Sequence, residues 1–104
     1  MSTSDRFAGK VAVITGGTTG IGRAIARRFV SDGGKIVIGA RHDTLFEEIT
    51  QELGADNCWC QVCDVTNRAQ VDALVQAAYD KFNGFDVMFG NAGINLFKDF
   101  LNVT

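Results

Sequence analysis

Four short runs rich in β-branched and aromatic residues punctuate the chain: Lys10–Thr15 (KVAVIT), Lys35–Ala40 (KIVIGA), Cys58–Val62 (CWCQV) and Phe85–Gly90 (FDVMFG). Each is too short for a helix and is flanked by turn residues, so each reads as a strand. The segments between them carry helical periodicity instead. The resulting order β-α-β-α-β-α-β, with crossovers long enough to join parallel strands, predicts an α/β layered fold.

The helices can be read in more detail. Ile21, Ala24, Ile25 and Phe29 share one face of the first, with Arg23, Arg27 and Arg28 elsewhere, and Gly33-Gly34 supplies its C-terminal stop. Asp43 or Thr44 can cap the second, where Thr44-x-x-Glu47 has capping-box spacing and Leu45, Ile49 and Leu53 mark the apolar face. Val71, Leu74, Val75, Ala78 and Phe82 give the third its buried stripe.

Length and charge bound the function. A chain of 104 residues, 46% hydrophobic and 21% charged, is expected to form one domain. A formal net charge of −2 offers no broad cationic surface for nucleic acid or anionic lipid, so affinity for phosphate has to be local. The first residues show no basic segment followed by an apolar one, and no run approaches a membrane span, so the expected setting is cytoplasmic. Cys58, Cys60 and Cys63 offer soft ligands at close spacing, yet no fourth ligand is near and His42 is distant in sequence. Without a secretory signal they read as reduced thiols in or beside the core.

The most specialised segment follows the first strand: Thr15-Gly16-Gly17-Thr18-Thr19-Gly20-Ile21-Gly22. Glycine adopts backbone angles closed to other residues and lets a ligand come close. The next helix points its unpaired amides and positive dipole end at whatever lies over the turn, an arrangement suited to phosphate or pyrophosphate. The bland alternative is a tight connection with no ligand.

Three motifs in order then carry a resemblance: T-G-x-x-x-G-x-G at Thr15–Gly22, Cys63-Asp64-Val65-Thr66 after the third strand, and Asn91-Ala92-Gly93 after the fourth. From about residue 7 onward the chain resembles the N-terminal half of a short-chain dehydrogenase/reductase. The resemblance implies a three-layer Rossmann fold whose doubly wound parallel sheet has strand order 3-2-1-4. It implies that Gly16, Gly20 and Gly22 shape a pyrophosphate turn lined by Thr18, Thr19 and Ile21. Asp64 is then expected to bond the adenine amino group and Val65 to lie against the ring. Asn91, Ala92 and Gly93 are expected to support the central strand and pass beside the cofactor ribose. The chain departs from the family pattern at Gly90, where a second asparagine is usual. Asp64 as a strand-end turn residue or helix cap, and Asn91-Ala92-Gly93 as a plain turn, remain open readings.

Dinucleotide folds that choose NAD commonly carry an acidic residue at the end of the second strand, where a 2′-phosphate needs a cation instead. In IVIGARHD that place is taken by Ala40, followed by Arg41. A guanidinium can grip a phosphate in a bidentate way. A cation just before a helix N-terminus also calls for compensation. NADP(H) is therefore expected over NAD(H), the alternative being that Arg41 is a solvated loop residue. His42 is expected to be exposed at the helix start.

The groups that would polarise a carbonyl and deliver a proton are another matter. The resemblance assigns this work to a tyrosine and lysine four residues apart, helped by a serine and an asparagine, all beyond the last motif. Tyr79, the only tyrosine, lies inside the third helical pattern, and the residue four later is Asn83. Residues 1–104 are thus expected to be a single partial NAD(P)-binding domain without its catalytic half, acting in a longer form on a small carbonyl or alcohol and assembling as a homo-oligomer. A non-catalytic nucleotide-binding or subunit-docking module is the competing expectation. Because FDVMFG is apolar enough for a central strand, the 104-residue chain alone is expected to be marginally stable or prone to aggregate along that edge.

Overall fold

The computed structural model describes residues 6–16 and 20–90. Its elements are β1 (Val11–Thr15), α1 (Gly20–Ser31), β2 (Lys35–Ala40), α2 (Phe46–Leu53), β3 (Cys58–Val62), α3 (Arg68–Phe82) and β4 (Val87–Phe89). The strands form one parallel sheet in the order β3-β2-β1-β4, as the resemblance implied.

The two faces of the sheet have separate cores. Ala12 and Ile14 of β1 and Ile36 and Ile38 of β2 meet Ile25, Ala26 and Phe29 of α1 and Ile49 and Leu53 of α2. Val11, Val13 and Val37 face the other way, onto Leu74, Ala77 and Ala78 of α3. Alternation along the strands divides each run between the two layers, which is why β1 reads as a continuous apolar stretch and is buried throughout. Chain direction explains the split: β1→β2→β3 steps one way across the sheet, and the return to β4 carries α3 to the opposite face.

Some local expectations need correction. Ile21 and Ala24 are not buried, so the buried stripe of α1 is Ile25, Ala26 and Phe29. The capping box does not form, because α2 begins two residues later than Thr44. Leu45 occupies the cap position with no side-chain cap, the Phe46 amide donates to the Asp43 carbonyl, and Glu47 accepts from Gln51 instead of reaching back. The first and fourth strands are also shorter than their runs. At Asp86 the reason is visible: its amide donates to the Val11 carbonyl while its own carboxylate accepts from the Val11 amide at 2.8 Å, replacing strand pairing by a side-chain bridge.

The expected stop of α1 is present as a Schellman closure. The Gly33 amide donates to Val30, and Gly34 donates to Phe29, with Gly33 at φ +97°. Gly34 is needed for a second reason, since a Cβ there would fall 2.3 Å from the Phe29 ring, which stacks on Phe7 at 4.4 Å. Arg23 and Arg27 of α1 reach Glu48 and Glu52 of α2, tying the two helices of one layer together on the outside. These guanidiniums, Arg27 first, hold the Glu52 carboxyl below its usual range.

Candidate cofactor-binding site

A parallel sheet places the C-terminal ends of its strands along one edge, and the singled-out residues follow those ends directly. Gly16 follows β1, Arg41 follows β2, and Asp64 and Val65 lie just past β3. The ladder runs one residue further at both junctions, with the Gly16 amide donating to Gly39 at 2.7 Å and the Cys63 amide to Ala40 at 2.8 Å. Turn, arginine and aspartate are therefore held on one continuous backbone frame.

The first part of the site is made by backbone. Gly16 has φ +73° and Gly20 φ +57°, left-handed values that side chains disfavour. At Gly20 an added Cβ would meet nothing within 4 Å, so glycine is required there by the dihedral and not by crowding. Helix α1 starts at Gly20 with no acidic residue in its first turn, leaving its positive end uncompensated by acidic side chains of its own. Gly22 sits within that first turn, half-buried, and Ile21 beside it is 62% exposed. Thr18 and Thr19, with Gly17, lie outside the described residues, as do Asn91, Ala92 and Gly93.

The second part is made by side chains. The Asp64 carboxylate accepts from the Thr66 hydroxyl at 2.7 Å and the Thr66 amide at 2.9 Å through the same oxygen, Oδ1. The Asp64 amide in turn donates to Gln70 at 2.7 Å. These bonds to the carboxylate, the Thr66 hydroxyl foremost, with the Arg41 charge as a smaller contribution, hold the Asp64 carboxyl below its ordinary range. Arg41 Nη2 lies 3.9 Å from Asp64 Oδ1. The arginine is thus exposed and lies within ion-pairing distance of a carboxylate. The compensation does not concern a helix dipole: α2 starts at Phe46, five residues on, beyond the reach of that field. His42 is exposed, in the loop before α2 and not at its start.

Asp64 does behave as a turn residue, since its carboxylate closes the Thr66 turn; the cap of α3 is Asn67, whose side chain accepts from the Gln70 amide at 3.1 Å. Thr66 and Gln70 carried no role in the sequence reading. The Asp-x-Thr spacing is a local signal for the first, because aspartate commonly bonds the backbone two residues on. Nothing in the pattern marks Gln70. Thr15 is a third such residue: its buried hydroxyl donates to the Phe89 carbonyl at 3.4 Å and joins the ends of β1 and β4. A Cβ at Gly90 would lie 3.1 Å from that hydroxyl, so an asparagine there requires Thr15 to give way slightly.

Two exposed apolar residues, Ile21 and Val65 at 62% and 59%, stand beside the polar groups on this edge. Left-handed glycines leading into a helix N-terminus, an oriented carboxylate, a nearby guanidinium and uncovered apolar side chains form a set that fits a dinucleotide. Among the described residues no group of three metal-ligating side chains comes together, and no helix is long and apolar enough to cross a membrane.

A parallel sheet of order 3-2-1-4 with a glycine turn at the first helix defines a nucleotide-binding Rossmann fold. The model of the short chain dehydrogenase family matches residues 10–104, and the chain belongs to that family. It is 46% identical over 90 residues to momilactone A synthase of Oryza sativa subsp. japonica, covering 86% of this chain and 33% of that protein. With (+)-borneol dehydrogenase 1 of Salvia officinalis it shares 43% identity over 93 residues, covering 89% and 35%. The crystal structure of 3-ketoacyl-(acyl-carrier-protein) reductase from Brucella melitensis, complexed with NADH, superposes with a TM-score of 0.74 at 39% identity, over 79% of this chain and 34% of that one. The chain spans about a third of the length of the relatives it matches. Members of this family are oxidoreductases that bind NAD(P) on this fold.

Proposed function

We propose that residues 1–104 are the NADP(H)-binding part of a short-chain oxidoreductase that moves hydride between NADP(H) and a small carbonyl or alcohol substrate in the cytoplasm. The observation that carries the choice of cofactor is Arg41: a guanidinium, 68% exposed, directly follows Ala40, the residue that ends β2 where an NAD-selective fold commonly puts a carboxylate. On this reading Gly16, Gly20 and Gly22, with Thr18 and Thr19, hold the pyrophosphate at the start of α1. Arg41 holds the 2′-phosphate, Asp64 and Val65 receive the adenine, Ile21 lies along the cofactor, and Asn91, Ala92 and Gly93 pass the ribose. When bound, the cofactor supplies or accepts the hydride.

Proton delivery belongs to groups beyond these residues. Tyr79 stands on α3 with its ring edge against Phe85 at 6.0 Å, in the layer opposite α1. We further infer that the longer form is a homo-oligomer acting on small molecules and not on nucleic acid or membranes, in keeping with the acidic chain and with a relative named for borneol dehydrogenation.

Titration of the protein with NADP and with NAD tests the assignment. Saturable binding with NADP preferred at least about tenfold is expected from one phosphate–guanidinium interaction. Equal affinity, or preference for NAD, overturns the choice. Absence of saturable binding to either overturns the nucleotide reading.

A further inference from the structure

Cys58 and Cys60 occupy alternate positions of β3 and so project to the same face, with their sulfurs 3.7 Å apart. The neighbour on the other side of Cys60 is the Thr50 hydroxyl of α2, 3.8 Å from its sulfur. Cys58 is buried in the α1/α2 core and Cys60 is half-buried beside it. Cys63, an odd number of residues away, is buried in the opposite core against α3. One cysteine of the three is therefore isolated, while two form a pair with one accessible member.

The pair is also electrostatically asymmetric. Hydrogen bonds from the Cys58 thiol and then from Thr50 favour a thiolate at Cys60 and bring it down to about 7, whereas the same contact and burial push Cys58 up. Cys63 is raised by burial, then by the Asp64 charge. A thiolate with partial access beside a second thiol is the arrangement that reacts with peroxides and is then resolved.

We propose that Cys60 and Cys58 form an oxidisable pair in which Cys60 reacts with a hydroperoxide and Cys58 resolves the product as a disulfide across Trp59. The Cys60 sulfur attacks the peroxide, the O–O bond breaks, sulfur is oxidised by two electrons to a sulfenic acid, and the peroxide leaves as alcohol or water after taking a proton. The Cys58 sulfur then attacks Cys60, the S–O bond breaks, and the hydroxyl departs as water with the Cys58 proton. Two residues along a strand span about 6.6 Å, close to the upper limit of Cα separation for a disulfide. The bond therefore contracts β3 and is readily reduced again. β3 can yield because, among the described residues, only β2 pairs with it.

The test is stoichiometric hydrogen peroxide on the reduced protein, read by intact and peptide mass spectrometry. The expected product has lost two hydrogens, carries an intrachain Cys58–Cys60 link, keeps Cys63 as a thiol and reverts with dithiothreitol. Cys58→Ser is expected to leave a Cys60 sulfenic acid that dimedone traps. Cys60→Ser, at the less buried position, is expected to abolish the reaction and protects the test should the Cys58 variant misfold. Survival of all thiols, a link that joins separate chains, or an intrachain link involving Cys63 overturns the proposal.

Discussion

The turn after β1 and the paired ends of β2 and β3 sit on the same edge of the sheet but are shaped by different means. The turn, in its described residues, is a property of backbone: Gly16 and Gly20 in left-handed conformation and a helix start without acidic side chains. The β2/β3 end is a property of side chains, with Arg41 facing Asp64 and Asp64 held by Thr66. Backbone groups can cradle any phosphate and discriminate poorly, whereas a guanidinium placed by a carboxylate can select one phosphate over a hydroxyl. Affinity is thus expected to reside mainly in the first region and selectivity in the second.

The frame common to both regions gives the largest expected effect. Gly39 accepts at its carbonyl from the Gly16 amide, and a Cβ on it would meet Leu74 at 2.7 Å and the Cβ of Cys63 at 3.0 Å. Gly39→Val should cost about 2 kcal/mol or more by overpacking. That corresponds to a fall of roughly 10 °C in the melting temperature of a domain this size, followed by circular dichroism. An unchanged melt would mean that α3 can shift away from β2, and the two regions are then less rigidly joined than the ladder implies.

Arg41→Asp separates selectivity from stability. NADP affinity should fall about 10- to 100-fold, the worth of a charged hydrogen-bonded contact, while NAD affinity holds or rises. The melting temperature should barely move, because an exposed pair contributes little. Isothermal titration with both cofactors reads the split, and an equal loss for both would place Arg41 in general phosphate attraction.

Gly20→Ala acts on the other region. The space is open, so the expected cost is the left-handed conformation alone, about 1 kcal/mol, seen as a shift of a few degrees. NADP and NAD affinities should fall together, in contrast to Arg41→Asp. A selective loss would break the division between cradle and selector.

How far the sequence announced this architecture depends on the range of the interactions. The layered α/β architecture was legible, because alternating runs, helical stripes and long crossovers leave few ways to cover a parallel sheet, while the strand order came with the family resemblance. The boundaries of α2 and β4 were not: Glu47 took Gln51, an i,i+4 partner that competes with the capping box on equal local terms, and the Asp86 carboxylate found Val11, which local spacing does not reveal. In the site, the glycines announced themselves by type. The Arg41–Asp64 proximity joins residues just past the ends of different strands, and only the β2/β3 register makes it.

The smallest expected effect tests that proximity directly. Asp64 has a folded pKa below its unfolded value, through Thr66 first and Arg41 further down the order of causes. A depressed carboxyl contributes stability above the unfolded pKa of about 3.9 and loses it as pH falls through the lower folded value. Asp64→Asn should therefore melt slightly below the parent between pH 5 and 8, and the difference should close as the parent is brought below about pH 4. Because the carboxylate is partly open to solvent, the gap should also narrow with added salt to the extent that Arg41 causes it. A gap that closes with acid but ignores salt would assign the carboxylate to the Thr66 turn alone. Arg41 would then be able to turn wholly toward a bound phosphate at no cost to the end of β3.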